Sequence, residues 1–159
     1  MDHNASTMKN VIKARDLALK SARQGGGPFG AVIIKDGHLV ATGMNRVTAD
    51  SDPTAHAEIN AIRSASKKLK THDLAGCEIY CSCEPCPMCL GAIYWSRIDH
   101  IYYACSIEDA TKFGFDDANI FKEFSLPVSE RSIPATFLKI DQAQVAFKYW
   151  DGLEDKVRY

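Results

Sequence analysis

Residues 77–97 read CEIYCSCEPCPMCLGAIYWSR. The opening CEIYCSC has the look of a strand, and alternation would put Cys77, Ile79, Cys81 and Cys83 on one face of it. Pro85 then starts a helix expected to run to about Arg97, since a proline ring presets a helical φ and lacks the N–H that a first turn leaves unpaired. Cys86 and Cys89 stand three residues apart on one face of that helix start. Four cysteines therefore fall between residues 81 and 89. Spacing alone leaves open whether all four bind one metal, whether they pair as disulfides, or whether only some carry chemistry.

The same strand and helix periods extend in both directions. Met8, Val11, Ile12, Ala18, Leu19 and Ala22 follow helical spacing until Gly25, Gly26 and Gly27 stop it. PFGAVIIK and HLVATGMN flank an Asp36-Gly37 turn, which predicts a β-hairpin. A second helix is expected near Pro53 with Asp52 as its N-cap. After the central strand and helix come a fourth strand, IDHIYYACS, and an aromatic-rich helical segment through FGFDDANIFKEF. A fifth strand, SIPATFLKI, and a last helix from about Asp141 to the carboxy end complete the pattern. This order predicts one α/β domain over residues 1–159, with a mixed five-stranded sheet between helices in three layers.

Composition narrows the function. The chain has 159 residues, 46% of them hydrophobic, enough for one sizeable core. The N-terminus mixes charges with no uninterrupted apolar run, so neither a secretory signal nor a membrane span is expected, and the cytoplasm is the default location. A reducing compartment favours free, buried or metal-bound cysteines over disulfides. The net charge of -1 lacks the basic excess that phosphate binding leaves, so no nucleic-acid partner is expected. KKLK at 67–70 reads as a solvated helix end. GGGPFG precedes a strand instead of opening a helix, so it reads as a helix stop and hairpin entry, not a phosphate loop.

THAEINA puts His56 and Glu58 at another helix start. With Cys86 and Cys89 this offers one imidazole and two thiolates, a donor set suited to a single tetrahedral zinc ion per chain. Helix N-termini favour thiolate over thiol, which supports ligation at both places. Three protein ligands leave a position for water, as in catalytic zinc, and Glu58 can then act as a proton carrier. On a regular helix a residue two places from a ligand points away from it, so Glu58 reaches the site only if the helix is just beginning there. The alternative is a closed four-ligand site completed by Cys81 or Cys83, whose plainer reading is core packing.

His56-Ala57-Glu58 together with Pro85-Cys86-Pro87-Met88-Cys89 resembles the signature of the cytidine deaminase-like superfamily of zinc deaminases. GGPFGAVI, DPTAHAE, CEPCPMCLGAIYWSR and GFDD extend the resemblance to its guanine deaminase branch along nearly the whole chain. The resemblance implies zinc held by His56, Cys86 and Cys89, with Glu58 moving protons. It implies a small purine base as substrate, contacted by Phe29, Asn45 and Ala57 and read by Asp117, with Trp95 as a further pocket wall. It also implies a homodimer whose C-terminal segment is exchanged between subunits, so that Tyr159 closes the partner's site. Taken by themselves, Phe29 and Trp95 read as core aromatics, Asp117 as a turn residue and EDKVRY as a frayed tail. Cys81 departs from the family pattern, where a threonine is familiar. Guanosine, tRNA adenosine and cytosine deaminases share the zinc motifs, and a noncatalytic zinc-binding module needs no Glu58.

Overall fold

The computed structural model describes residues 4–159. It divides into a first unit running to Phe121 and a second unit, Lys122–Tyr159, each described by itself.

The first unit opens with α1, Ala5–Arg23, capped by the Asn4 side chain accepting from the Thr7 N–H at 2.9 Å. Gly25, at φ 83°, ends it in the left-handed region that glycine enters without strain. The hairpin follows as expected. β1, Gly30–Lys35, pairs antiparallel with β2, His38–Met44, across a turn whose Asp36 and Gly37 both have positive φ (48° and 75°). A short helix α2, Val47–Asp50, precedes α3, Ala57–Leu69. β3, Cys77–Cys83, leads into α4, Pro87–Trp95, and β4, His100–Cys105, leads into α5, Ile107–Lys112. The helix α6, Asp117–Ser125, runs across the boundary into the second unit.

The sheet has four strands in the order β2-β1-β3-β4, with β3 antiparallel to β1 and parallel to β4. The two faces of β1 are both buried, and alternation sends its residues to different helices. Val32 and Ile34 pack with Tyr80 against Ala14 of α1. Ala31 and Ile33 pack with Cys77, Ile79 and Cys81 against Ala57, Ala61 and Ala65 of α3 and Ile93 of α4. The cysteine row of β3 is thus core down to Cys81. The three-layer α/β arrangement holds.

Four expectations need correction, the length of the last helix among them. The sheet has four strands, not five: residues 132–140, expected as the fifth, form no strand. Their apolar residues are exposed, Phe137 at 90%, so the alternation finds no covered face to define, and Pro134 has no N–H for a ladder. The helix expected near Pro53 is α3 and begins at Ala57, because Asp52 accepts from the Thr54 N–H and hydroxyl (2.8 and 2.7 Å) and so closes a turn ahead of the helix. The fourth helix begins at Pro87, so Pro85 lies before the cap rather than inside the first turn.

The second unit holds a 3₁₀ turn, Val128–Glu130, and α7, Val145–Asp151, shorter than the C-terminal helix expected from Asp141. Within it Glu123 accepts from the Ser132 N–H and hydroxyl, and Lys156 and Arg158 stand over the Trp150 ring at 5.5 and 5.3 Å. Among the described residues no helix is long and apolar enough to cross a membrane.

Candidate active site

Two close approaches aim the site. A Cβ on Gly43 of β2 would lie 2.0 Å from the Ala57 carbonyl oxygen and 2.6 Å from the Ala61 nitrogen, so the start of α3 rests directly on the β2 backbone. Asn60 fixes the same turn from the side, its Nδ2 donating to the carbonyls of Met44 (2.9 Å) and Ala55 (3.3 Å). His56 takes the N-cap position of α3 with extended dihedrals (φ -69°, ψ 158°) and so stands outside the helix. This resolves the phase problem of His-x-Glu, since Glu58 alone obeys the helical period and both side chains turn the same way.

Across from it, Cys86 is the N-cap of α4, its Sγ accepting from the Cys89 N–H at 3.5 Å. The Nδ1 atom of His56 lies 3.5 Å from both Cys86 Sγ and Cys89 Sγ, and donor atoms of all three fall within 4.8 Å of one another. Cys81 and Cys83 are not part of this group. Hydrogen bonding from the Cys89 thiol, joined by His56, draws the Cys86 thiol down to about 4, and the same thiol–thiol interaction pushes Cys89 far up. The bond to Cys86 raises His56. A dipositive ion lets both ionise, and a soft, tetrahedral-tolerant donor set of two thiolates and an imidazole fits zinc.

Glu58 is 6% exposed and accepts from Cys89 Sγ at 3.3 Å. Burial pushes its carboxyl above the usual range. Beside the cysteine and histidine side chains opens a cavity of about 270 Å³. His56, Glu58 and Cys86 form its floor, and Phe29, Asn45 and Asp117 stand on its walls. Phe29 meets Phe115 edge to face at 4.8 Å, giving the wall two aromatic surfaces. The Asn45 carboxamide is held by the Val47 N–H, which donates to Oδ1 at 3.2 Å, and by the bare backbone of Gly27, where a Cβ would come within 3.1 Å of Asn45 Cγ. Asp117 begins α6, and desolvation together with the Cys86 charge raises its carboxyl.

Ala57 and Trp95, also expected at the site, do not line the cavity. Ala57 is fully buried, with its side chain in the core. Trp95 ends α4 at 63% exposure and is not on the wall, as its helical phase relative to Cys86 and Cys89 requires. Tyr159 ends the second unit. Sequence reasoning passed over Phe115 and Glu84. Phe115 sits in the GFDD run that singled out Asp117, whereas Glu84 carried no signal beyond its place next to Pro85.

Mixed sheet, two helix N-termini converging on a two-thiol, one-imidazole donor set, and a buried carboxylate within reach define a zinc-dependent hydrolytic deaminase. The chain belongs to the family described as the cytidine and deoxycytidylate deaminase zinc-binding region, whose model matches residues 3–105. It is 48% identical to the guanine deaminase of Bacillus subtilis over 148 residues, 92% of this chain and 95% of that one. The X-ray structure of guanine deaminase from Bacillus subtilis superposes with a TM-score of 0.93 at 46% identity, covering 100% of this chain and 99% of that one. Over 87 residues the chain is 41% identical to a tRNA-specific adenosine deaminase of Aquifex aeolicus, covering 55% of this chain and 58% of the relative.

Proposed function

We propose that this chain hydrolyses guanine to xanthine and ammonia, with His56, Cys86 and Cys89 as zinc ligands and Glu58 as the proton carrier. The observation that carries the reading is that Glu58 and Asp117 face one cavity of base-sized volume beside the three donor side chains. Likeness to guanine deaminases over almost the full length of both chains supports it.

Zinc, when bound, lowers the pKa of a coordinated water to about 7 and so supplies a nucleophile at neutral pH. Glu58 takes the proton that the attacking water gives up and delivers it to a ring nitrogen of the purine. It then takes the second proton, from the hydroxyl left on C2, and delivers it to the 2-amino group, which departs as ammonia while C2 becomes a carbonyl. A carboxyl raised by burial suits both taking and giving, because its proton affinity sits nearer the working pH. Asp117 accepts from the N–H and amino donors on the guanine edge side by side, which the two oxygens of an ionised carboxylate can do and an amide, with one oxygen and one N–H₂, cannot. Phe29 and Phe115 give the base an aromatic wall, and Asn45, held by Gly27 and Val47, offers its amide N–H₂ to a purine acceptor. The cavity, at about 270 Å³, is smaller than most ligand sites, about 300–1,000 Å³, which favours a free base over a nucleoside.

The functional unit in this reading is a cytoplasmic homodimer with the second unit exchanged between subunits and Tyr159 closing the partner's cavity. Its support is that α7 buries none of its residues, leaving Phe147 and Tyr149 exposed at 76% and 73%, an apolar surface of the kind that marks a protein interface. Parallel measurement of ammonia release from guanine, guanosine, adenine and cytosine tests the substrate. Guanine is expected to be turned over fastest, and a preference for any other member would overturn the assignment.

A further inference from the structure

β3 and β4 run parallel, and their last residues, Cys83 and Cys105, are register partners. Neighbouring strands lie about 4.8 Å apart, inside the window of about 4.4–6.8 Å between Cα atoms that a disulfide can span. Both cysteines are unpaired thiols, Cys83 buried and Cys105 exposed. Their side chains open on the same recess of about 310 Å³, which is separate from the donor group of His56, Cys86 and Cys89. The Cys83 thiol is directed toward the end of β4, donating to the carbonyl of Ser106, the residue after Cys105, at 3.5 Å. Glu84 holds the two strand ends together beyond the pair: its N–H donates to the Cys105 carbonyl at 2.8 Å and its Oε2 accepts from the Ile107 N–H at 3.2 Å.

We propose that Cys83 and Cys105 form a reversible redox pair that closes to a cross-strand disulfide in the presence of a small soluble disulfide such as oxidised glutathione, beside the zinc site and without drawing on its ligands. The exposed Cys105 is the thiol that the reagent reaches. As its thiolate it attacks one glutathione sulfur, forming a mixed disulfide and releasing one reduced glutathione. Cys83 then loses its proton to solvent and attacks the Cys105 sulfur, and the second glutathione leaves. Two S–H bonds are lost from the protein, one S–S bond forms, and the S–S bond of the reagent is reduced to two thiols. Burial pushes the Cys83 thiol up to about 12, which makes the second step the slow one and keeps Cys83 from reacting with the reagent directly. A bond between directly opposed strands is constrained by the sheet spacing, and strained or exposed disulfides are the readily reduced kind.

The test treats the zinc-loaded protein with oxidised glutathione, blocks remaining thiols with an alkylating reagent after unfolding in chelator, and maps the linkage by peptide mass spectrometry. The expected result is a fall from six free thiols to four, a Cys83–Cys105 cross-linked peptide, unchanged zinc content before unfolding, and full reversal by dithiothreitol. Cys105→Ser, an exposed and conservative change, should keep all of its thiols reduced. Cys83→Ser should stop at glutathione on Cys105. Glutathione retained on Cys105 of the wild type without a cross-link, a cross-link through Cys86 or Cys89 with zinc loss, or no loss of thiols would each overturn the proposal.

Discussion

At the residue scale the account rests on the separate duties of Glu58 and Asp117. Glu58→Gln keeps the shape of the side chain but cannot cycle a proton, so zinc content should stay at wild-type level while kcat falls by about a hundredfold to ten-thousandfold. The same variant makes a stability prediction in the metal-free protein. Because burial raises the folded carboxyl above its unfolded value of 4.5, the folded state binds more protons than the unfolded one between the two values, and stability falls as pH rises through that window. Metal-free Glu58→Gln should therefore be more stable than metal-free wild type at neutral pH, with the gap closing toward pH 4.5, as denaturant midpoints across pH would show. Asp117→Asn puts a donor where the guanine edge presents donors, and a buried mismatch of this kind costs about 1–3 kcal/mol. kcat/KM for guanine should drop by about tenfold to a hundredfold with zinc retained, and an unchanged value would return Asp117 to the role of a helix-start residue. The donor residues could be read from sequence because metal ligation demands particular atoms at particular spacings. The exposure of Trp95 could be anticipated only from helical phase, and Phe115 and Glu84 declare themselves only when the chain is folded around the cavity.

At the scale of elements, one glycine contact decides where the chemistry sits. Gly43 lets α3 lie on β2, and the start of α3 carries His56 and Glu58. Gly43→Ala should destabilise the fold by roughly 1–3 kcal/mol or more, as overpacking does, and should also weaken zinc retention, since the helix start must move. Gly37→Ala offers the contrast: no atom lies within 4 Å of its added Cβ, so only the positive φ is strained and zinc binding should be kept. Comparing thermal unfolding with metal content in the two variants separates loss of stability from loss of site geometry. The hairpin, α1 and β3 were legible because turn chemistry and hydrophobic period agree along them. The start of α3 was placed too early because Asp52 is as good a turn residue as it is a cap, and the choice depends on Thr54 hydrogen bonds that local sequence does not rank. SIPATFLKI shows the opposite failure, a strand-like alternation in a segment with no ladder partner among the described residues.

At the scale of the whole molecule, the second unit is where sequence and structure part furthest. Its apolar residues suggest a strand and a long helix, yet they stand exposed in an isolated chain, which is what a segment completed by a second copy would show. Mixing tests this. A Glu58→Gln chain with an intact tail, refolded with a chain that keeps Glu58 but lacks Tyr159, should give heterodimers with one working site, although each homodimer is impaired. Heterodimers no more active than their parents would place the tail's action within its own subunit or nowhere. The central claim, a guanine-hydrolysing site built around one zinc ion per chain, is met most directly by titrating zinc into metal-free protein while following xanthine and ammonia formed from guanine. The account predicts negligible turnover without metal, a linear rise with added zinc, a break at one zinc per chain, and xanthine and ammonia in equal amounts. Turnover that survives metal removal, a break at a different ratio, or a fully zinc-loaded protein inert toward guanine would contradict it.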